Sequence, residues 1–186
     1  GSPEGIERLG GVDFDQAVLH HVSTAIGPVV EELDPDDPAA QAAVARLRQE
    51  CVDAKEALSS DTDVSIPVLL PGLQTEVRLT RAEYEAMVRP ALTDSITAMN
   101  RALRSADVAP GDITAVLLVG GSSRTPLVAE LVSSAFGRPV AVDAHPKYAV
   151  CTGAAIMAAT VGGALDGGAG ASGAAAPTAG GGGKGA

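Results

Sequence analysis

Tryptophan is absent, and among 186 residues there are only two Phe and two Tyr. The core must therefore be built from Ala, Val, Leu and Ile, within a hydrophobic fraction of 46%. Basic charge is also scarce. Thirteen Lys and Arg stand against 23 Asp and Glu, a net charge of −10, and no basic cluster is present. That balance argues against nucleic acid and anionic membrane surfaces as partners. Cysteine is limited to Cys51 and Cys151, far apart and without a C-x-x-C pair. They read as two buried, reduced thiols rather than a disulfide or a metal site. The longest apolar stretch, residues 149–165, is short and contains Thr and Gly. It follows a helix-start signal, so a core helix is expected there and no membrane span. No secretory pattern opens the sequence, and a soluble, cytoplasmic protein is expected.

The two ends differ from the middle. Gly1 and Ser2 read as a tag remnant and residues 1–9 as a lead-in. From Gly162 onward the sequence is nearly all Gly and Ala, so residues 162–186 read as a flexible linker tail. What remains, roughly 160 residues, fits one domain or two small subdomains.

Phe14, Ala17, Val18, Val22, Ala25 and Ile26 recur at helical spacing, with Asp13 as a capping carboxylate, and Gly27-Pro28 stops that helix. An acidic loop, residues 31–37, precedes Asp37-Pro38, which opens a long second helix. Val44, Leu47, Cys51, Ala54 and Leu58 form its buried stripe. Val64, Ile66 and Val68 alternate with polar positions, Pro71-Gly72 turns the chain, and Thr75, Val77 and Leu79 alternate on the return. That is a hairpin, and Pro67 places its first strand at a sheet edge.

Thr80 with Glu83 is a capping box, and Pro90 splits the helical region that follows. Leu92, Ile96, Met99 and Leu103 line its second half. Ala115-Val116-Leu117-Leu118-Val119 has the pattern of a strand buried on both faces. Thr125-Pro126 opens a helix that Phe136-Gly137 closes. Val140–Val142 is a short strand, and Pro146 opens the last helix. The order αα-ββ-αα-βα-βα indicates an α+β insertion followed by half of an α/β layer.

The loop after Val119 is the most informative feature. A buried strand, the pair Gly120-Gly121 and a helix start put backbone at the carboxyl end of a sheet, where open α/β folds bind nucleotides. Glycine lets a ribose or base approach closely, and Arg124 can lay its planar guanidinium along an adenine ring. Taken alone, an ordinary strand-to-helix turn explains the same residues. On the long helix, Val52, Lys55, Glu56 and Ser59 share a face. Lys55 and Ser59 can donate to a purine or ribose, although taken without context a solvated helix face is the preferred account. His20, His21 and His145 have no carboxylate or thiol at metal-ligand spacing and read as surface residues. No Ser-His-Asp arrangement stands out, so neither a catalytic nor a metal residue is assigned.

Five short strings in register resemble the DnaK-type (heat-shock seventy-kilodalton) chaperone family from Leu9 to about Ala159. They are Leu9-Gly10-Gly11 with Asp13-Phe14-Asp15; Ala54-Lys55 with Leu58-Ser59-Ser60; and Thr80-Arg81-Ala82. The series continues with Val119-Gly120-Gly121-Ser122, Arg124 and Pro126, and ends with Ala149-Val150 before Gly153-Ala154-Ala155. The resemblance implies an actin-like, ribonuclease H-like ATPase fold of mixed α+β and α/β class that holds ATP or ADP in a cleft between two lobes. It maps residues 10–88 to the outer subdomain of lobe II and residues 89–161 to an incomplete inner subdomain. By that mapping Lys55, Ser59, Gly120, Gly121, Ser122 and Arg124 touch adenosine, and Gly11 faces the phosphates. The implied partners are a nucleotide-exchange factor at the outer subdomain and lobe I of the same protein.

The family's phosphate hairpins and its groups for Mg and hydrolysis do not occur in this sequence. Hydrolysis is expected only of a full-length parent, since phosphoryl transfer depends on such positioning groups. The chain should also bind nucleotide weakly, with half the walls of a pocket present. Three departures stand out. The family's ribose-binding Glu is replaced by Val52, Gly11 is followed by Val12 rather than Glu, and Lys147 occupies a position that is usually acidic. They keep a second reading open, a non-enzymatic chaperone-like interaction module that has lost its nucleotide. A cytoskeletal or sugar-kinase relative on the same fold is a third.

Overall fold

The computed structural model describes residues 1–7, 9–143 and 145–166, with residues 146–147 and 161–166 described by backbone alone. The chain divides after Val150 into two units. Helix α1 spans Gly11–Ile26 and buries Phe14, Val18 and Val22, residues four apart on one face. Its N-cap is Gly10, not Asp13. Asp13 lies in the first turn, and its carboxylate reaches back to accept from the Gly10 N–H at 2.8 Å. Gly27, at φ +74°, ends the helix in a conformation that side chains disfavour.

Helix α2 spans Pro38–Ala57. The Asp37 carboxylate caps it by accepting from the N–H groups of Ala39 and Ala40 at 3.0 and 3.3 Å. Leu47, Cys51 and Ala54, with Leu58 just beyond the end, face the core, while Val44 is half-buried. Strands β1 (Asp63–Leu70) and β2 (Leu73–Thr80) form an antiparallel hairpin with Asp63 opposite Thr80 and Leu70 opposite Leu73. Ile66 and Val77 are directly opposed, so the buried residues of both strands fall on one face. The other face is largely exposed.

Helix α3, Arg81–Ser105, is continuous through Pro90, where a break was expected. Tyr84 and Val88 before the proline, and Leu92 after it, pack into the same core. That shared burial outweighs the missing N–H and the clash with the preceding turn. The expected boundary between residues 88 and 89 thus lies inside α3, and one core cluster extends from Phe14 and the hairpin across it to Leu127.

Strands β3 (Val116–Leu118) and β4 (Val140–Val142) pair in parallel, Leu117 opposite Ala141. Their sheet has two strands, so β3 is not buried on both faces as its apolar run suggests: Leu117 is 63% exposed. Too few neighbouring strands are present to cover it. Helix α4, Pro126–Phe136, buries Leu127, Val132 and Phe136 and closes on Gly137 in the left-handed region.

Helix α5 spans Pro146–Asp166 and so runs past Gly162, into the expected linker, where Ala164 and Leu165 favour helix. The tail beyond Asp166 lies outside the described residues. Neither cysteine is in a disulfide. Cys51 is buried as expected, whereas Cys151, expected to be buried, is exposed. Among the described residues no helix is long and apolar enough to cross a membrane.

Candidate functional site

Beyond β3, Gly120 adopts φ +90°, a value side chains disfavour. The chain then tightens into a 3-10 turn over Gly121–Arg124. Ser123 locks that turn, because its hydroxyl and its N–H both bond the Gly120 carbonyl, at 2.6 and 3.2 Å. The turn presents Ser122, Arg124 and Thr125 to one side of a cleft of about 270 Å³. Facing them are Lys55, Glu56, Ser59 and Ser60 at the end of α2, with Gly11 and Phe14 from α1 and Tyr84 from α3. All of these lie within the first unit.

Gly11 stands where the walls meet. A Cβ there would be 3.5 Å from Lys55 Nζ and 3.7 Å from Ser122 Oγ. Lys55 donates to the Gly11 carbonyl at 3.2 Å and pairs with Asp15 at 2.5 Å. The latter is an ion pair rather than an aligned hydrogen bond. At the far end of α2, Arg81 Nε donates to the Leu58 carbonyl at 2.9 Å, which fixes the turn carrying Ser59 and Ser60 against α3.

The structure therefore brings Gly11, Lys55, Ser59, Gly121, Ser122 and Arg124 to one cleft. Gly120 is not among its lining residues; its conformation and its carbonyl shape the turn behind them. Val52 does not join Lys55, Glu56 and Ser59, although all four were expected on one face. It lines a separate depression with Val12, Asp15, Leu19 and Arg48. The two depressions adjoin, because Asp15, which lines the one holding Val52, pairs with Lys55 of the cleft. Lys147, the third departure from the family pattern, lies outside the described side chains. His21 is half-buried rather than at the surface, its Nε2 lying 3.4 Å from the Arg78 carbonyl as α1 approaches β2.

Sequence reasoning missed Phe14, Ser60, Tyr84 and Thr125 as cleft residues. The sequence reads Phe14 as part of a helical stripe, Ser60 as a helix end and Thr125 as a helix start, and Phe14, Tyr84 and Thr125 are buried. Tyr84 is the unusual one, because its hydroxyl is buried and makes no well-aligned hydrogen bond among the described residues, with the Thr125 hydroxyl as its polar neighbour. Burial raises the phenol's pKa above its ordinary value, the nearby Thr125 hydroxyl offsets part of the rise, and the Asp15 and Glu85 charges add to it. Within α2, burial pushes the Cys51 thiol up to about 11, with help from the Asp15 and Glu50 charges.

The family model described as Hsp70 protein matches residues 3–168. The chain belongs to the Hsp70 family. This Hsp70 chain is similar to the chaperone protein HscA homolog of Burkholderia multivorans, with 36% identity over 155 residues, 83% of this chain and 24% of the relative. It is likewise similar to the HscA homolog of Burkholderia mallei, with 36% identity over 165 residues, 88% of this chain and 26% of the relative. The Hsp70 chain thus spans about a quarter of the length of these curated relatives. The match accords with the mixed helix-and-sheet architecture.

Proposed function

We propose that this Hsp70 chain is the adenosine-binding half of the nucleotide-binding domain of a DnaK-type, ATP-binding chaperone. In this reading residues 10–88 form the outer and residues 89–161 the inner subdomain of lobe II, and the chain alone does not hydrolyse ATP. One observation carries the proposal: Lys55 from α2 and Ser59 from the turn just beyond it share a cleft with Gly121, Ser122 and Arg124 from the glycine turn. These groups are distant in sequence, and a solvated helix face or a plain turn would not require them to meet.

The lining fits a purine nucleoside. Lys55 and Arg124 supply charged donors, Ser59, Ser60, Ser122 and Thr125 supply hydroxyls that donate or accept, and Glu56 supplies an acceptor. Adenine offers ring-nitrogen acceptors and an amino donor, and ribose offers hydroxyls, so each has complementary groups here. Arg124 would lie along the base, Lys55 and Ser59 would hold the nucleoside, and Gly11 would leave room on the phosphate side. A bound nucleotide would supply the phosphoryl group whose transfer drives a chaperone cycle. This chain's part in that cycle is to bind and orient. The cleft is at the small end for a ligand site, as expected for one wall of a pocket that a second lobe completes. A nucleotide-exchange factor gripping residues 10–88, and a cytoplasmic setting, belong to the same proposal.

The interaction-module reading has its own support. Val52 itself offers no carboxylate to ribose hydroxyls, and the Asp15 carboxylate beside it is already paired with Lys55. Titration of the isotopically labelled chain with ATP and ADP, followed by amide shifts, decides between the two. Saturable shifts centred on Lys55, Ser59, Gly121, Ser122 and Arg124 are expected. Absence of shifts at millimolar nucleotide, both here and with lobe I present, would leave the interaction module.

A further inference from the structure

Lysine carries its charge on a flexible stem, yet the Lys55 ammonium at the cleft wall is held in place. Two oxygens of α1 hold it, the Gly11 carbonyl at 3.2 Å and Asp15 Oδ1 at 2.5 Å. Asp15 Oδ1 is buried and makes no hydrogen bond among the described residues, so its contact with the ammonium is what faces its charge. Packing of α1 on α2 does not call for this pair: Phe14, Val18 and Val22 already share one core with Leu47, Cys51 and Ala54. Asp15 lines the neighbouring depression, and Lys55 lines the cleft. The carboxylate is thus placed to act on a cleft ligand through Lys55. The held ammonium also stands where the walls meet, since Lys55 Nζ and Ser122 Oγ lie 3.5 and 3.7 Å from the place a Cβ on Gly11 would take.

We propose that Asp15 is a positioning residue of the cleft. It fixes and neutralises the Lys55 ammonium, so that Lys55 serves as a directed donor to an uncharged oxygen or nitrogen of a nucleoside and not as a phosphate ligand. The inference rests on the nucleoside reading above and adds to it which part of the ligand Lys55 takes. A lysine that is free to rotate loses that freedom when a ligand binds it, whereas one already held in the empty site does not. An ammonium has three protons, so a ligand atom can be met from the fixed position while the Gly11 and Asp15 contacts persist. Beside Asp15, the charge of Lys55 acts at a distance as one end of a dipole, and its pull on a phosphate falls accordingly.

The test titrates adenosine and ATP, by NMR at low ionic strength, into the chain, Asp15→Asn, Lys55→Met and the double variant. Thermal midpoints without ligand set a temperature at which all four are folded. In Asp15→Asn, adenosine affinity should fall by about three- to tenfold. The ratio of ATP to adenosine affinity should rise several-fold in the same variant, because the ammonium is then uncompensated. In the Lys55→Met background, Asp15→Asn should cost no further adenosine affinity, a result that a general loosening of the fold would not give. Equal adenosine affinity in the chain and Asp15→Asn would overturn the positioning role and leave the nucleoside reading standing. An equal loss with and without Lys55 would do the same by assigning the effect to the fold, and so would an ATP-to-adenosine ratio that does not rise. No saturable adenosine binding by the chain would sink the reading and the role together. Asp15→Glu serves as the second variant if Asp15→Asn does not fold, since it keeps the charge and moves it by one methylene. A several-fold weaker adenosine complex is expected of it, and unchanged affinity counts against the positioning role.

Discussion

Lys55 Nζ lies 2.5 Å from Asp15 Oδ1, joining α2 to α1 at the wall of the cleft. The two side chains are 16% and 22% exposed, so water screens the pair only partly. Lys55 also donates to the Gly11 carbonyl. An ammonium has three protons to donate, so these contacts leave capacity for a ligand while fixing where the charge sits.

Asp15→Asn therefore removes a counter-charge that is close to Lys55 and shielded. We expect it to destabilise the first unit by about 1–3 kcal/mol, read as a shifted urea midpoint at unchanged m-value. Lys55→Met should cost a similar amount, and the double variant less than the sum, because neither charge is then left without the other. Strict additivity would mean that the pair contributes nothing.

The buried Cys51 thiol gives a prediction in alkali. Its pKa in the fold is pushed up to about 11, chiefly by burial, from an ordinary value of 9.0. The folded chain thus holds this proton more tightly than the unfolded chain does. That contribution to stability is complete below pH 9, and it fades as pH rises toward 11. Cys51→Ala should flatten the alkaline limb of a stability-versus-pH curve. At pH 8, a thiol reagent should modify the exposed Cys151 at least a hundredfold faster, roughly, than Cys51, counted by peptide mass. Comparable rates would contradict the burial of Cys51.

A third expectation concerns the junction of β2 and α3. The Thr80 hydroxyl accepts from the Glu83 N–H at 3.2 Å, and the Glu83 carboxylate accepts from the Thr80 hydroxyl and N–H at 2.6 and 2.9 Å. The Thr80 hydroxyl first, and its N–H second, hold the Glu83 carboxyl below the usual range. A depressed carboxyl contributes stability above its unfolded pKa and loses it as pH falls through the folded value, so an acid limb is expected there. Asp63, lowered by its bond and charge contact with Arg78, adds in the same direction. Thr80→Ala should cost about 1 kcal/mol at neutral pH and make the acid limb shallower. An unchanged acid limb in that variant would assign it to other carboxylates.

Local features of the fold were legible wherever one residue dictates its own neighbourhood. Asp37-Pro38 at the start of α2, Pro71-Gly72 at the hairpin turn and the Thr80 and Glu83 box all form as read, because caps and turns are settled within a few residues. Pro90 was misread because its local penalty is outweighed by Tyr84, Val88 and Leu92 sharing one core. The exposure of Leu117 was misread for the opposite reason. An apolar run shows that a strand can be buried, and only its neighbours decide whether it is.

The candidate site divides in the same way. By itself the sequence determined the glycine turn, the polar end of α2 and the family resemblance, since each is a local string in a fixed order. The tertiary structure decided that Lys55 and Ser59 face Ser122 and Arg124, that Val52 and Gly120 stand aside, and that Lys55 is paired with Asp15. It also decided that the Tyr84 hydroxyl is buried, with the Thr125 hydroxyl as its polar neighbour. Helical periodicity specifies the angle at which a side chain leaves its own axis. Which other axis it meets is set by the packing of α1, α2 and α3 on the hairpin and on Leu127, a property that no single segment carries.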